Sequence, residues 1–162
     1  MQILSSYGAG RTYEGHGAEA LAAGEAHADV AAWLAESRDW TSPLHHLRVV
    51  APARALALLR GGADLHAAAR AGAPTPLSLA RGLRAAGEAG DGTAAALVLR
   101  AAEPWSPATH HLLPAAARAW AVSVLRLGTL LSRRFGGEEV SFSDAWKDWV
   151  MPHAIGRGSG GV

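Results

Sequence analysis

The sequence predicts an all-α protein built from helical hairpins stacked side by side. Apolar residues recur at helical spacing along most of its 162 residues. Two helix starts, Ser42-Pro43-Leu44 and Thr75-Pro76-Leu77, stand 33 residues apart, and a Gly-Gly pair lies between them. A short hairpin cannot bury its apolar face alone, so this spacing predicts a stacked repeat.

Residues 1–17 are rich in glycine and carry little pattern. They lack the apolar run of a signal peptide. They also fail as a nucleotide-binding loop, because Tyr13 occupies the last glycine position of GxGxxG and no Gly-Lys-Ser/Thr follows. The sequence therefore predicts a flexible, poorly packed lead-in.

Helical periodicity begins at residue 18, but residues 18–38 do not form a complete repeat. Apolar residues recur from His27 to Leu34, while a Ser/Thr-Pro opening and a Gly-Ala-Asp exit are both missing. We interpret this segment as a degenerate first hairpin that caps the array.

Residues 39–71 hold the complete unit. Ser42 can cap the first free amides of a helix, and Pro43 suits the first helical position. No Glu or Gln stands three residues after Ser42, which predicts a simple cap and not a capping box. We expect the first helix to reach about Val50 and Pro52 to open a second helix, which a Gly-Gly pair ends.

This order of residues resembles an ankyrin repeat. The matching residues are Ser42, Pro43, Leu44 and His45 for the family's Thr-Pro-Leu-His, then Gly62, Ala63 and Asp64 for its Gly-Ala-Asp, then Thr75, Pro76 and Leu77 for the next opening. The resemblance implies an ankyrin-repeat helical solenoid. It also implies a structural His45 that hydrogen-bonds within and between repeats. His66 departs from the family, which has Asn there.

Residues 72–104 are interpreted as an expanded second repeat. Its loop after Leu83 is enlarged and rich in glycine, and its second helix is expected from about Thr93. A tolerated surface loop is the simpler interpretation of the insertion, although such insertions also occur on the ligand side of solenoids.

Residues 105–153 are predicted to form a helical C-terminal cap. Trp105 to Leu112 repeats the Trp, the Ser-Pro and the His-His-Leu of Trp40 to Leu47. A long helix over 115–134 and a short helix over about 143–151, ended by Pro152, should follow. The predicted buried stripe of the long helix is Ala117, Trp120, Val124, Leu127 and Leu131. On the short helix, one face carries Phe142, Trp146, Trp149 and Val150.

This cap segment resembles an appendix found in ankyrin proteins of unicellular algae, and that resemblance implies no activity. Residues 154–162 contain too little apolar surface to fold, so they are expected to be disordered.

Two residue types could indicate a site or simply the core. The pairs His45-His46 and His110-His111 could suggest metal binding, but adjacent helical residues point about 100° apart, so neither pair closes on one ion. Six tryptophans could mark a binding hot spot. We expect most of them in the core, with Trp40 and Trp149 the most exposed.

Composition argues against several functional classes. The chain has no cysteine, a net charge of +1 and no apolar run long enough to span a membrane. Recurring arginines along the repeats could form a basic strip, but a solvated face fits the balanced charge better. Ser159 fails the GxSxG pattern because residue 157 is Arg. We therefore expect no catalytic residues, no cofactor, no metal and no nucleic-acid or membrane partner, in an intracellular protein of the cytoplasm or nucleus.

The ankyrin resemblance implies a non-catalytic protein–protein interaction module. In that family the concave face and the projecting turns bind the partner, which here points to Asp64, His66 and Arg70 in the turn. Two alternatives stay open. The chain could be an adaptor whose C-terminal helices recruit a second machine such as a ubiquitin ligase, or it could be a fragment of a larger multidomain protein.

Overall fold

The computed structural model describes residues 5, 7, 10–13, 16–135 and 139–157. Apart from one two-residue β ladder, its regular elements are helical, which confirms the all-α class. The chain forms two compact units, Met1–Ala55 with Asp64–Val98, and Leu56–Ala63 with Leu99–Val162. The ankyrin-type solenoid and the repeat boundaries stay predictions. No described helix has the length and apolar character needed to cross a membrane.

The first unit begins with a small ladder and a helical hairpin. These elements are β1 (Thr12–Tyr13), β2 (His16–Gly17), α1 (Ala18–Gly24), α2 (Ala28–Glu36) and a 3₁₀ turn at Ser37–Asp39. The strands are antiparallel. The Arg11 guanidinium donates to the carbonyl oxygens of Leu34, at 3.0 Å, and Ser37, at 2.6 Å. It thereby caps the end of α2. Arg11 thus ties this part of the predicted lead-in to α2, and the two strands pair with each other.

The first helix of residues 39–71, the segment predicted to be a complete repeat, is shorter than predicted. Only a 3₁₀ turn forms at Pro43–His45, and the N–H groups of Val49 and Val50 then both donate to the His46 carbonyl. These two bonds close a turn over His46–Val50 in place of the further helix that the sequence predicts. The second helix, α3 (Pro52–Arg60), forms as predicted.

Residues 72–104, the predicted expanded repeat, form both predicted helices, α4 (Pro76–Ala85) and α5 (Ala94–Ala101). Thr75 and Ser78 build a reciprocal capping box. The Ser78 N–H donates to Thr75 Oγ1 at 3.0 Å, and the Thr75 N–H donates to Ser78 Oγ at 2.8 Å. The Thr93 hydroxyl accepts from the Ala96 N–H at 3.2 Å, so α5 starts where the sequence predicts.

The core of the first unit lies between these helices and the turn at Pro43–His45. Its larger buried side chains come from all three hairpins and are Leu34, Leu44, Leu47, Val50, Leu65, Leu77 and Val98. Leu44 and Leu77 follow Pro43 and Pro76 directly, so each Pro-Leu pair directs one leucine into the core. The Leu77 N–H donates to the Leu65 carbonyl at 3.0 Å, which joins the exit of one hairpin to the start of the next.

The second unit is organised by a 3₁₀ turn at His110–Leu112 and the long helix α6 (Ala115–Phe135). The buried face of α6 differs from the prediction, since Trp120 and Leu127 are 46% and 50% exposed. The inward residues are instead Ala117, Ala121, Val124, Gly128 and Ser132.

A large aromatic ring explains the shift of the buried face. The indole of Trp146 packs so closely on Gly128 that an added Cβ would lie 2.6 Å from the ring. Its Nε1–H donates to the Val124 carbonyl at 3.1 Å. Small inward residues permit this approach, and the larger side chains of α6 consequently lie on its flank.

The segment after α6 consists of α7 (Glu139–Ala145), a π-helical turn at Trp146–Val150 and α8 (Met151–Ala154). Pro152 does not end the helix as predicted but lies in the first turn of α8, where its missing N–H is tolerated. Trp149 is 75% exposed, and Met151 and Ile155 occupy the buried positions.

The predicted disordered tail is wrong for Ala154–Arg157. The Arg157 guanidinium donates to the carbonyl oxygens of Leu59, at 2.7 Å, and Leu112, at 3.2 Å. Both carbonyls belong to the same unit as Arg157. The remaining tail, 158–162, lies outside the described residues.

The contact between Gly128 and Trp146 can be tested by adding one methyl group. We expect Gly128→Ala to lower the free energy of unfolding by about 1–3 kcal/mol, because a well-packed ring must move. Urea denaturation followed by tryptophan fluorescence measures this effect. Gly82→Ala is the matched control, since a Cβ at Gly82 meets nothing within 4 Å. A Gly128→Ala protein as stable as the control variant would contradict this packing.

Candidate functional site

His45 lies at the centre of the repeat motif, and its side chain is only 2% exposed. Its Nδ1 lies 3.2 Å from the Ser42 backbone nitrogen, and its Nε2 lies 3.1 Å from the Pro74 carbonyl oxygen. The carbonyl can only accept, so Nε2 carries the proton and Nδ1 accepts from the Ser42 N–H. With the opposite tautomer, the Ser42 N–H and the Pro74 carbonyl oxygen would both lose the ring as a hydrogen-bond partner.

His45 therefore completes a capping box in which imidazole replaces the usual carboxylate. The prediction of a simple Ser42 cap is wrong in this respect, because a search for Glu or Gln alone overlooks His. The bond to Pro74 also ties the motif to the residue that precedes the Thr75-Pro76 opening.

An open cleft of about 420 Å³ lies beside His45 in the first unit. Its walls come from the end of α2, the segment 40–49 and one side of α4. The lining residues are Trp33, Glu36, Trp40, His45, His46, Leu47, Arg48, Val49, Ser78, Leu79, Gly82 and Leu83. We call this surface the aromatic cleft.

Three rings of the aromatic cleft pack against one another. Trp33 and Trp40 meet edge to face with centroids 6.2 Å apart, and Trp40 and His46 do so at 4.9 Å. The Arg11 guanidinium lies 5.8 Å from the Trp33 ring centroid, which adds a cation–π contact. These contacts hold the tryptophans in fixed orientations while both stay half-buried.

His46 is held neutral at this position. Burial, and after it the neighbouring His45 and Arg11, together lower its pKa from 6.5 to about 4. Within the described part of the chain, its Nδ1 and the Nε1 of Trp40 are buried without a hydrogen-bond partner. Unpaired buried polar atoms are rare in folded proteins, and both belong to residues that line the cleft.

The predicted contact residues Asp64, His66 and Arg70 are all exposed. Asp64 Oδ1 accepts from the His66 N–H at 2.8 Å, which shapes the turn. Arg70 pairs with Asp39 at 2.7 Å. Since Asp39 directly precedes Trp40, the turn is joined to the chain segment that carries one wall of the aromatic cleft.

The second histidine pair has a different environment. The Trp105 Nε1–H donates to His110 Nδ1 at 3.2 Å, and Trp105 belongs to the core of the second unit. Burial lowers the pKa of His110, helped by Arg118 and His111, and His111 is exposed. Among the described residues, no group of three or more His, Asp or Glu side chains is placed to hold a metal ion.

Sequence reasoning missed the aromatic cleft as a site. It places most tryptophans in the core, with Trp40 among the more exposed ones, and assigns no role to Glu36 or Gly82. Gly82 was the available signal, because a glycine inside a helix costs stability relative to alanine. Here the absent side chain leaves one wall of the cleft open.

Comparison of the chain with models of protein families, with curated proteins and with solved structures finds no match. The ankyrin resemblance therefore depends on the motif residues themselves.

The His45 bonds predict a stability loss that another histidine does not share. We expect His45→Leu to lower the free energy of unfolding by about 1–3 kcal/mol, because the Ser42 N–H and the Pro74 carbonyl oxygen lose their hydrogen-bond partner. Chemical denaturation of His111→Leu is the control, since that side chain is exposed. Equal stability of the two variants would contradict the proposed bonds.

The lowered pKa of His46 predicts acid sensitivity. Above pH 6.5 the ring is neutral whether folded or unfolded, so it adds no pH dependence. Between pH 6.5 and about 4 only the unfolded chain gains the proton, so the free energy of unfolding should fall as pH falls. Denaturation measured across this interval should show a smaller slope for His46→Gln than for wild type. An unchanged slope would show that His46 is not the group responsible.

Proposed function

We propose that the chain is an ankyrin-type, non-catalytic module that recognises a protein partner. The partner contacts the aromatic cleft and the neighbouring turn that carries Asp64, His66 and Arg70. The observation that carries the proposal is the pair of half-buried tryptophans, Trp33 and Trp40, fixed at the walls of an open cleft. Tryptophan and arginine dominate the energetics of protein interfaces when the fold holds them in place.

The surroundings of the cleft favour a polypeptide ligand. Its rim carries one acidic side chain, Glu36, and one basic side chain, Arg48. Arg48 forms an ion pair with Glu88 at 3.1 Å. A small-molecule site would normally enclose most of its ligand, whereas this cleft is open to solvent. A peptide group also brings one donor and one acceptor, the two kinds of partner that Trp40 Nε1–H and His46 Nδ1 lack.

The hydrogen bonds around the cleft support a non-catalytic role. The Ser78 hydroxyl donates to the Thr75 carbonyl and serves the cap of α4, so it is not activated by a base. Both nitrogens of His45 are engaged by Ser42 and Pro74. Neither side chain is arranged as a nucleophile or a general base.

The adaptor alternative gains support from the second unit. Trp120, Leu127, Leu130 and Trp149 are large apolar side chains between 46% and 75% exposed. Exposed residues of this kind often mark surfaces for a further protein. In this role the C-terminal helices recruit a second protein while the cleft holds the first.

Filling the aromatic cleft should abolish recognition without damaging the fold. Gly82→Gln extends a side chain into the cleft, and its Cβ meets nothing within 4 Å. We expect proteins that crosslink to wild type in native cells to be lost with Gly82→Gln. Gly24→Gln is the matched control, because Gly24 ends α1 in open space outside the cleft. An unchanged set of captured proteins would contradict the proposed function.

The turn is tested by a second pair of variants in the same capture assay. Reversing the charges of Asp64 and Arg70 should weaken capture if the turn contacts the partner. Asp64→Asn keeps an oxygen for the His66 N–H and so separates loss of charge from loss of the turn. If the charge reversal leaves capture intact, the turn does not contribute to recognition.

A further inference from the structure

The long helix α6 carries an apolar surface separate from its buried face. Trp120, Leu127 and Leu130 are 46%, 50% and 62% exposed. Residues seven apart return to nearly the same side of a helix, and a residue three further on lies beside them. The three side chains therefore form one line along α6, which we call the exposed stripe.

The exposed stripe has a fixed aromatic end. The Trp120 Nε1–H donates to the Ala154 carbonyl at 3.3 Å, which orients the indole while nearly half of it stays open. An aromatic side chain that is already held in place loses little conformational entropy on binding. Trp120 thus has the properties of an interface anchor.

One side of the exposed stripe is positively charged. Helix α6 contains no Asp or Glu, and its exposed residues include Arg126 and Arg133, again seven apart. Arg126 lies four residues before Leu130 and Arg133 three residues after it, so both border the stripe on the side of Leu130. In paired helices, charged side chains at such flanking positions form salt bridges with the other helix and so determine which helix binds.

These features separate the possible occupants of the stripe. A second copy would bring another α6, which has no acidic side chain to meet the arginines. A membrane-surface helix needs a broad apolar face, whereas the neighbouring face of α6 already packs on Trp146 and Met151. A partner helix with apolar residues every seven positions and acidic flanks matches both the stripe and its charge.

We propose that the exposed stripe binds an amphipathic helix with acidic flanks on a protein partner, in a paired-helix contact about two heptads long. The contact goes beyond recognition at the aromatic cleft and does not depend on it. It uses only residues of the second unit.

The test measures binding of a labelled synthetic helix to the full chain by fluorescence anisotropy. The probe has about three heptads, with Leu at the seam positions and Glu at the flanks, and a second probe carries Lys in place of Glu. We expect saturable binding of the Glu probe that weakens with added salt. Leu127→Gln with Leu130→Gln, and separately Arg126→Glu, should each weaken it at least about tenfold.

Val122→Gln is the matched control, because Val122 is 41% exposed but lies on the opposite side of α6 from Trp120. It should leave binding unchanged, as should the cleft-filling Gly82→Gln, so that failure at the stripe and failure at the cleft can be told apart. Circular dichroism verifies that each variant is folded. If the double variant is not, the surface change Arg126→Glu decides the result.

Several results would overturn the proposal. These are no saturable binding of the Glu probe, equal binding of the Lys probe, or equal weakening by Val122→Gln. If the Glu probe fails to bind, while wild type binds vesicles rich in phosphatidylserine and the double variant does not, the stripe would be assigned to a lipid surface. Self-association in sedimentation, lost in the same variant, would assign it to a second copy.

Discussion

The first unit depends on the two hydrogen bonds of one buried side chain, His45. One ring nitrogen completes the cap of the turn at Pro43–His45, and the other reaches the Pro74 carbonyl next to the following helix opening. Because the ring is rigid, the two bonds fix the distance between the motif and α4. That distance sets the separation between Trp40 on one wall of the aromatic cleft and Gly82 on the other.

The same short motif occurs twice in the chain and takes on different tasks. In the first copy Trp40 stacks on His45 and meets His46 edge to face, at the edge of an open cleft. In the second copy Trp105 is buried and bonds to His110 inside the core of its unit. The difference follows from what comes next: Pro52 opens a short helix after the first copy, whereas the long helix α6 follows the second and covers its tryptophan.

Much of the fold could be predicted because local chemistry determines it. Pro52 and Pro76 stand at the starts of α3 and α4, and glycines follow where both helices end, so these two helices were predictable to within a few residues. Capping by His45 could not be read from a motif written for Glu. The buried face of α6 could not be read either, because the ring of Trp146, which comes later in the chain, packs on Gly128 and needs a residue without a side chain there. The aromatic cleft likewise depends on contacts between separate hairpins, which periodicity does not report.

The most direct test of this account is the tautomer of His45, observed by long-range ¹H–¹⁵N NMR of the imidazole. The account predicts a proton on Nε2 that exchanges slowly with solvent, because the Pro74 carbonyl accepts it. The Nδ1–H tautomer, or an Nε2 proton that exchanges as fast as that of an exposed histidine, would contradict it. Such a result would remove the link between the motif and α4, and with it the fixed geometry of the aromatic cleft.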